Sequence, residues 1–491
     1  MKTVRYCLVA LVLLLVVLFN WHSLDSVNQD IGRHLKLGEI IWQTKSVPAT
    51  NLFSYTEPDH PFINHHWLSE VIFYLTSRWV GLKGLIGLKV LVITAAFVLA
   101  NAALGKKLKT PLWPLATLLG LLVFSSRSDV RPEIFSYLFF SFFLFAIWRA
   151  KYALNFKYLN WLPVVELLWV NSHIYFFLGP LLLLYFLLDQ VWQFKNWRWF
   201  SISNLTLRIF ILTSIATLFN PNFLQGALSP FTILQHYGYS IVENQSLWFL
   251  TNYGILLKSI NLFEFSLVLL TISFVIALAK RQPVVFELLL VTTLSLLAMK
   301  MLRNVGLYGL AFGPLMGLQL ATLTTPGWLG SKLGRWLVPA VVGSSLIWLL
   351  VSIPNNRLYR WLDSSKTFGL TVPRGAAGGV DFVRKNMIVG PMFNNFDVGS
   401  YLLWQLYPEQ KVFVDGRPEA YSVEFFEKIY KPMQTNPAVW EKYSKQYGIN
   451  YIFFDWHDLT PWAQTFLARI SHDPHWPLVY QDETVVIFVK K

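Results

Sequence analysis

Apolar runs close to twenty residues long recur along most of this chain, and they fix the solvent in which it folds. About 20 apolar residues cross a bilayer. On that measure roughly eleven spans are expected, near residues 5–22, 85–105, 111–126, 132–149, 158–172, 174–192, 205–220, 264–281, 283–299, 305–323 and 335–354. Residues 67–81 (WLSEVIFYLTSRWVG) read as either an interfacial helix or a short extra span. Only 14% of the chain is charged, against about 25% in a soluble domain.

The basic residues then decide orientation. The net charge of +14 would suit nucleic acid if it formed one patch. Here the Lys and Arg residues sit mostly in short connections between apolar runs, which is the membrane-orientation pattern. With the N-terminus in the cytoplasm, the expected inner loops carry Lys106, Lys107 and Lys109; Arg149, Lys151 and Lys157; Lys195 and Arg198; Lys280 and Arg281; and Lys332 and Arg335. Residues 20–23 (NWHS) are not a small-residue cleavage site, so the first span is expected to stay attached. An odd number of spans places the C-terminal region outside, and all ten histidines on or near that outer face. The single cysteine, Cys7, permits neither an internal disulfide nor a cysteine metal site.

The first outer loop, residues 23–84, is the most polar stretch between apolar runs. In QDIGRHLKLGEIIW, Asp30 and His34 are four apart and share a helical face. A carboxylate beside a histidine can act as a general base; Asp is also a favoured helix cap. Further on, Asn64-His65-His66-Trp67-Leu68-Ser69-Glu70 puts His66 and Glu70 at helical spacing. His and Glu together can hold a divalent metal, or the histidines can be interface anchors beside a tryptophan. The metal question stays open, since no HExxH-type spacing is present.

Other span ends supply polar groups to the same expected face. They are Asp129, Arg131 and Glu133 (SDVRPE), Asn171 and His173 (WVNSH), Asn220 (FNPN), and Arg303 and Asn304 (MLRN). Polar groups at membrane depth are costly and usually functional. Arg131 and Arg303 suit a lipid phosphate, because a guanidinium binds phosphate with two donors. Glu166 falls inside an expected span and must be protonated, paired or facing a cavity.

Residues 355–491 change character. IVGPMFNN, KVFVDG and NYIFFDW read as short buried strands, with helices over VGSYLLWQLYP, EFFEKIYKPM and PWAQTFLARI. WPLVYQDETVVIFVKK reads as a hairpin turning near Gln481-Asp482. Alternating strands and helices predict a small α/β domain. Asp415 and Arg417 follow the KVFV segment; they read as a turn held by an ion pair or as acceptor-binding groups.

Taken together, these motifs resemble the bacterial multi-pass glycosyltransferases of the GT-C superfamily, of the RgtA/B/C/D-like and protein O-mannosyltransferase-like types. The likeness rests on Asp30 and His34, on SYT and HHWLSE (Ser54 to Thr56, His65 to Glu70), and on Arg131-Pro132. It continues through Trp169, Asn171 and His173, Asn220-Pro221, Arg303-Asn304, and GSYLLWQLYP with KVFVDGRPEAY (Gly399 to Pro408, Lys411 to Tyr421). It implies a polytopic helical fold: a transmembrane domain over residues 1–354 and an extracytoplasmic α/β domain over residues 355–491, in the inner membrane. It also implies transfer of a sugar from a polyprenyl-phosphate donor to a glycan, lipid or protein acceptor on the outer face. Asp30 would be the base, Arg131 or Arg303 the phosphate clamp, and His34, His66 and Glu70 the acceptor side. The Asp-Glu pair of the O-mannosyltransferases is missing, since Ile31 follows Asp30.

Two rival readings follow from the same residues. One is a glycan ligase or polymerase using a polyprenyl-pyrophosphate carrier. The other is a non-enzymatic transporter or envelope assembly protein, against which stands the absence of an internal repeat.

Overall fold

The computed structural model describes residues 2–24, 30–104, 112–193, 197–233, 237–255, 257–282, 284–322 and 331–491. Lys106, Lys107, Lys109 and Lys195 lie outside the described residues, as does His236. The chain forms two compact units. The first is Met1–Ser23, Ile86–Asn220 and Ile241–Thr371; the second is Leu24–Leu85, Pro221–Ser240 and Val372–Lys491.

Helices build the first unit, because a backbone in lipid must satisfy its own N–H and C=O groups. Among the described residues, four helices are long and apolar enough to cross a membrane: Leu82–Ala102, Glu133–Ala153, Ile174–Trp192 and Lys258–Ala279. Shorter apolar helices cover Tyr6–Asn20, Trp113–Arg127, Leu159–Val170, Asn204–Ala216 and Trp336–Ser352. Val285–Lys300 and Val305–Thr322 are helical as well, so each apolar segment of the sequence is a helix. Glycine sets the closest packing. A Cβ on Gly120 would come within 2.4 Å of the Gly309 carbonyl oxygen, so the helices Trp113–Phe124 and Val305–Thr322 meet backbone to backbone, as small residues allow between membrane helices.

The second unit combines helices with a four-stranded mixed sheet. Its strands are β1 (Met392–Asn394), β2 (Tyr451–Asp455), β3 (Leu478–Gln481) and β4 (Val485–Val489), in the order β1-β2-β4-β3. β1 runs parallel to β2; β2–β4 and β4–β3 are antiparallel. Tyr451 to Phe454 are all buried, as an unbroken apolar run in a covered strand requires. The β3–β4 turn falls where the sequence places it, with Asp482 Oδ1 accepting from the backbone N–H groups of Thr484 and Val485 at 2.8 Å. Phe396–Leu406 and Pro461–Ile470 are helices, and Phe425–Tyr430 is a π-helical turn running into Lys431–Thr435.

KVFV is a correction. It is no strand of the sheet; it makes one parallel bridge, Ser54 to Val412. The side chain of Asn394 takes up its polar groups, accepting from Phe413 N at 2.9 Å and donating to Val414 O at 2.7 Å. On its other side, Val412 N donates to Phe53 O at 3.0 Å. A side-chain amide and the first-loop chain thus replace the ladder. The segment left open at residues 67–81 is the helix Trp67–Val80, 14 residues long, short of the roughly 20 that cross a bilayer. It packs along the helix Ile31–Thr44.

Candidate functional site

The residues singled out in the sequence fall into two groups, one in each unit. In the second unit the organising helix is Ile31–Thr44, which Asp30 precedes at its cap position. The Asp30 side chain does not cap the helix. It pairs instead with Arg33, one turn on, at 3.3 Å. This is i,i+3 spacing on one helical face, and Arg33 is a residue the sequence reading passed over. His34 turns to a different partner: its Nδ1 lies 2.9 Å from Glu70 Oε1, with both side chains buried. Asn64 Nδ2 donates to the other Glu70 oxygen at 2.6 Å. Burial pushes the Glu70 carboxyl up to about 7, against the hydrogen bond from Asn64 and the charges of Arg33 and Arg417.

His65 and His66 flank this pair. Their rings stack edge to face with centroids 4.1 Å apart, and His66 meets His34 at 5.7 Å. His66 precedes the helix Trp67–Val80, and its backbone N–H donates to Asn64 Oδ1 at 2.9 Å. Glu70 is therefore shared between His34 and Asn64. Among the described residues no group of three or more His, Cys, Asp or Glu side chains is placed to hold a metal.

Asp415 and Arg417 form a fully buried ion pair. Arg417 Nε and Nη2 donate to the two Asp415 oxygens, each at 2.7 Å, and Nη2 also reaches Asn51 Oδ1 at 2.7 Å. Tyr421 donates to Asp415 at 2.9 Å. The guanidinium lies 4.9 Å and 4.8 Å from the ring centroids of Phe53 and Phe62. Two more acids that the sequence reading did not single out belong here. Glu419 lies two residues beyond Arg417, and Asp397 opens the helix Phe396–Leu406. Partial desolvation and the nearby charges of Asp458, Asp455 and Asp30 push Asp397 up to about 7.

In the first unit, Arg127, Arg131 and Arg303 act on one carboxylate, Glu243. Arg127 Nη1 lies 2.8 Å from Glu243, and Arg131 donates to both of its oxygens. Burial pushes Glu243 up, but Arg127, Arg131 and Arg303 together hold it well below the usual carboxylate range. Arg127 also pairs with Glu133 at 2.7 Å. Neither Arg127 nor Glu243 stood out in the sequence; the signal available was only an arginine at a span end, which snorkelling explains equally well.

Asp129 belongs to a neighbouring set. Lys366 lies 3.6 Å from its carboxylate, and Lys89, itself fully buried, lies 2.9 Å from His22 Nε2. Burial raises Asp129, yet Lys366, His22, Lys89 and Arg131 hold it well below its ordinary value. The remaining residues hydrogen-bond to nearby groups of the same unit. His173 Nδ1 is 2.9 Å from Ser136 Oγ, which accepts from Trp169 at 2.7 Å. Asn171, Asn220 and Asn304 donate to the backbone carbonyls of Phe219, Thr217 and Leu297.

No protein-family model matches the chain, and no curated protein matches it in sequence. Solved structures do match. The Archaeoglobus fulgidus oligosaccharyltransferase tethered to an acceptor peptide aligns with 100% of this chain and 74% of its own, at 13% identity and a TM-score of 0.64. The same organism's oligosaccharyltransferase AglB, in complex with an inhibitory peptide and a dolichol-phosphate, aligns over 99% and 74% at 12% identity and TM-score 0.61. ArnT from Cupriavidus metallidurans, in the apo state, aligns over 99% and 97% at 12% identity and TM-score 0.55. With its several apolar helices, this chain is a multi-pass membrane protein that has the GT-C fold of membrane glycosyltransferases.

Proposed function

We propose that the protein is an inverting glycosyltransferase of the inner membrane. It moves a sugar from a polyprenyl-phosphate carrier to a glycan, lipid or protein acceptor on the outer face, where residues 355–491 also lie. Asp30 takes the proton of an acceptor hydroxyl as that oxygen bonds to the anomeric carbon. The bond from that carbon to the phosphate oxygen breaks, and polyprenyl phosphate leaves with the electron pair. Arg131 and Arg303 meet the growing phosphate charge, which a pre-placed guanidinium stabilises without reorganising.

The observation that carries this reading is the convergence of Arg127, Arg131 and Arg303 on Glu243 in a chain of this fold. Three cations against Glu243 and Glu133 leave a net positive group suited to a phosphate monoester. The archaeal oligosaccharyltransferase of the same fold was solved with a dolichol-phosphate, which is support of the same kind. His34 and Glu70 take a positioning role, since their buried pair fixes the helix that begins beside Asp30.

The test is lipid mass spectrometry of the purified protein beside its Asp30→Asn variant. A polyprenyl-phosphate sugar enriched on the variant is the expected result, and its mass names the sugar class. Polyprenyl lipid absent from both samples would remove the transferase reading.

A further inference from the structure

A cavity of about 440 Å³ opens within the second unit, between the first-loop segment around His60, the helix Phe223–Thr232 and residues 419–423. That size lies within the roughly 300–1,000 Å³ of small-molecule sites. Its walls are of two kinds. Pro61, Ile63 and Val423 make an apolar side; His60, Gln225 and Glu419 bring polar groups. A sugar ring has the same division, with C–H faces and a rim of hydroxyls.

Glu419 is the group that gives the cavity its chemistry. Arg33 and Arg417 lie near enough to act on its charge, but Arg33 is paired with Asp30 and Arg417 with Asp415. No hydrogen bond or ion pair joins the Glu419 side chain to another described residue. Desolvation raises its pKa, and its two oxygens can accept from the hydroxyls of a guest, more strongly than a neutral amide oxygen can when the group is ionised.

We propose that this cavity binds a neutral sugar unit of the acceptor, with Pro61 and Ile63 against its apolar face and Glu419 bonded to its hydroxyls. The acceptor assignment rests on the transferase reading above; the binding of a sugar does not.

The experiment uses the full chain in detergent with photoreactive diazirine derivatives of methyl glucoside, galactoside and mannoside, followed by digestion and mass spectrometry. Label is expected in peptides holding residues 60–63, 225–233 or 419–423. It should fall roughly tenfold in Glu419→Gln, which exchanges a charge-assisted acceptor for a neutral amide, and disappear in Ile63→Trp, which fills the cavity. Glu419→Gln has nearly the same shape as the parent side chain, so it keeps the test valid should Ile63→Trp fail to fold. Label confined to other peptides overturns the proposal, as does equal labelling of folded Glu419→Gln protein or displacement by glucosamine more readily than by methyl glucoside. The lipid analysis of the Asp30→Asn protein is independent of this result, so a failed donor and an empty cavity are told apart.

Discussion

The Nδ1 atom of His34 lies 2.9 Å from Glu70 Oε1, and both side chains are buried. The pair joins the helices Ile31–Thr44 and Trp67–Val80. Its proton has a stability consequence. Glu70 is raised from 4.5 to about 7 by burial, so between those two pH values the unfolded chain has released a proton that the folded unit keeps. The contribution of Glu70 to stability is therefore greatest below pH 4.5, falls as pH rises through that window and levels above about 7. The whole change from this group should be on the order of 3 kcal/mol. Thermal unfolding of the detergent-solubilised protein should show this slope, and Glu70→Gln should flatten it. A slope of the opposite sign would mean that Glu70 is ionised in the folded state.

Those two helices touch through glycine. A Cβ on Gly38 would come within 2.1 Å of the Glu70 carbonyl oxygen. Alanine in a helix is worth about 1 kcal/mol over glycine, so propensity alone predicts that Gly38→Ala stabilises. The contact is with backbone and cannot yield cheaply, so the substitution is expected to lower the melting temperature by several degrees. A rise would show that the helices are further apart than described.

Arg417 and Asp415 are expected to matter for folding before they matter for any ligand. Removing one partner of a buried pair leaves an uncompensated charge, costing about 3–5 kcal/mol. Arg417→Met should leave little folded protein, as measured by protease resistance and yield. Well-folded Arg417→Met protein with altered acceptor use would instead point to a binding role.

Glu166 and Gly179 should be coupled. Both oxygens of the buried Glu166 carboxyl are without a hydrogen-bond partner among the described residues. A Cβ on Gly179 would fall within 2.1 Å of Glu166 Oε2 and 3.0 Å of the Phe143 ring. Gly179→Ala should destabilise the protein, and Glu166→Ala should recover much of the loss in the double variant. A double-mutant cycle reads the coupling, expected within about 0.5–3 kcal/mol for neighbours in contact. Strict additivity would mean that the two do not touch.

Much of this protein was legible in the order of its residues. Apolar runs near spanning length could only become helices in lipid, and each of them did. NYIFFDW and the hairpin over β3 and β4 announced themselves through β-rich runs and the Gln481-Asp482 turn. Asp30, Arg131 and Arg303 stood out because charge is rare in such a chain. What the sequence left undetermined was who pairs with whom. Helical spacing offered Asp30 to His34, yet Arg33 holds Asp30 and Glu70, 36 residues further on, holds His34. Nothing local marks Glu243 as the shared partner of Arg127 and Arg131, over 100 residues away. The KVFV segment had the composition of a strand, but the Asn394 side chain and Phe53 from the first loop claimed its hydrogen bonds. Periodicity and hydropathy are local, so the sequence by itself determined the helices, most strands and the membrane setting. A buried charge must find an opposite charge or a donor wherever the packed chain brings one, so the ion pairs, and the cavity beside Glu419, were decided only by tertiary structure.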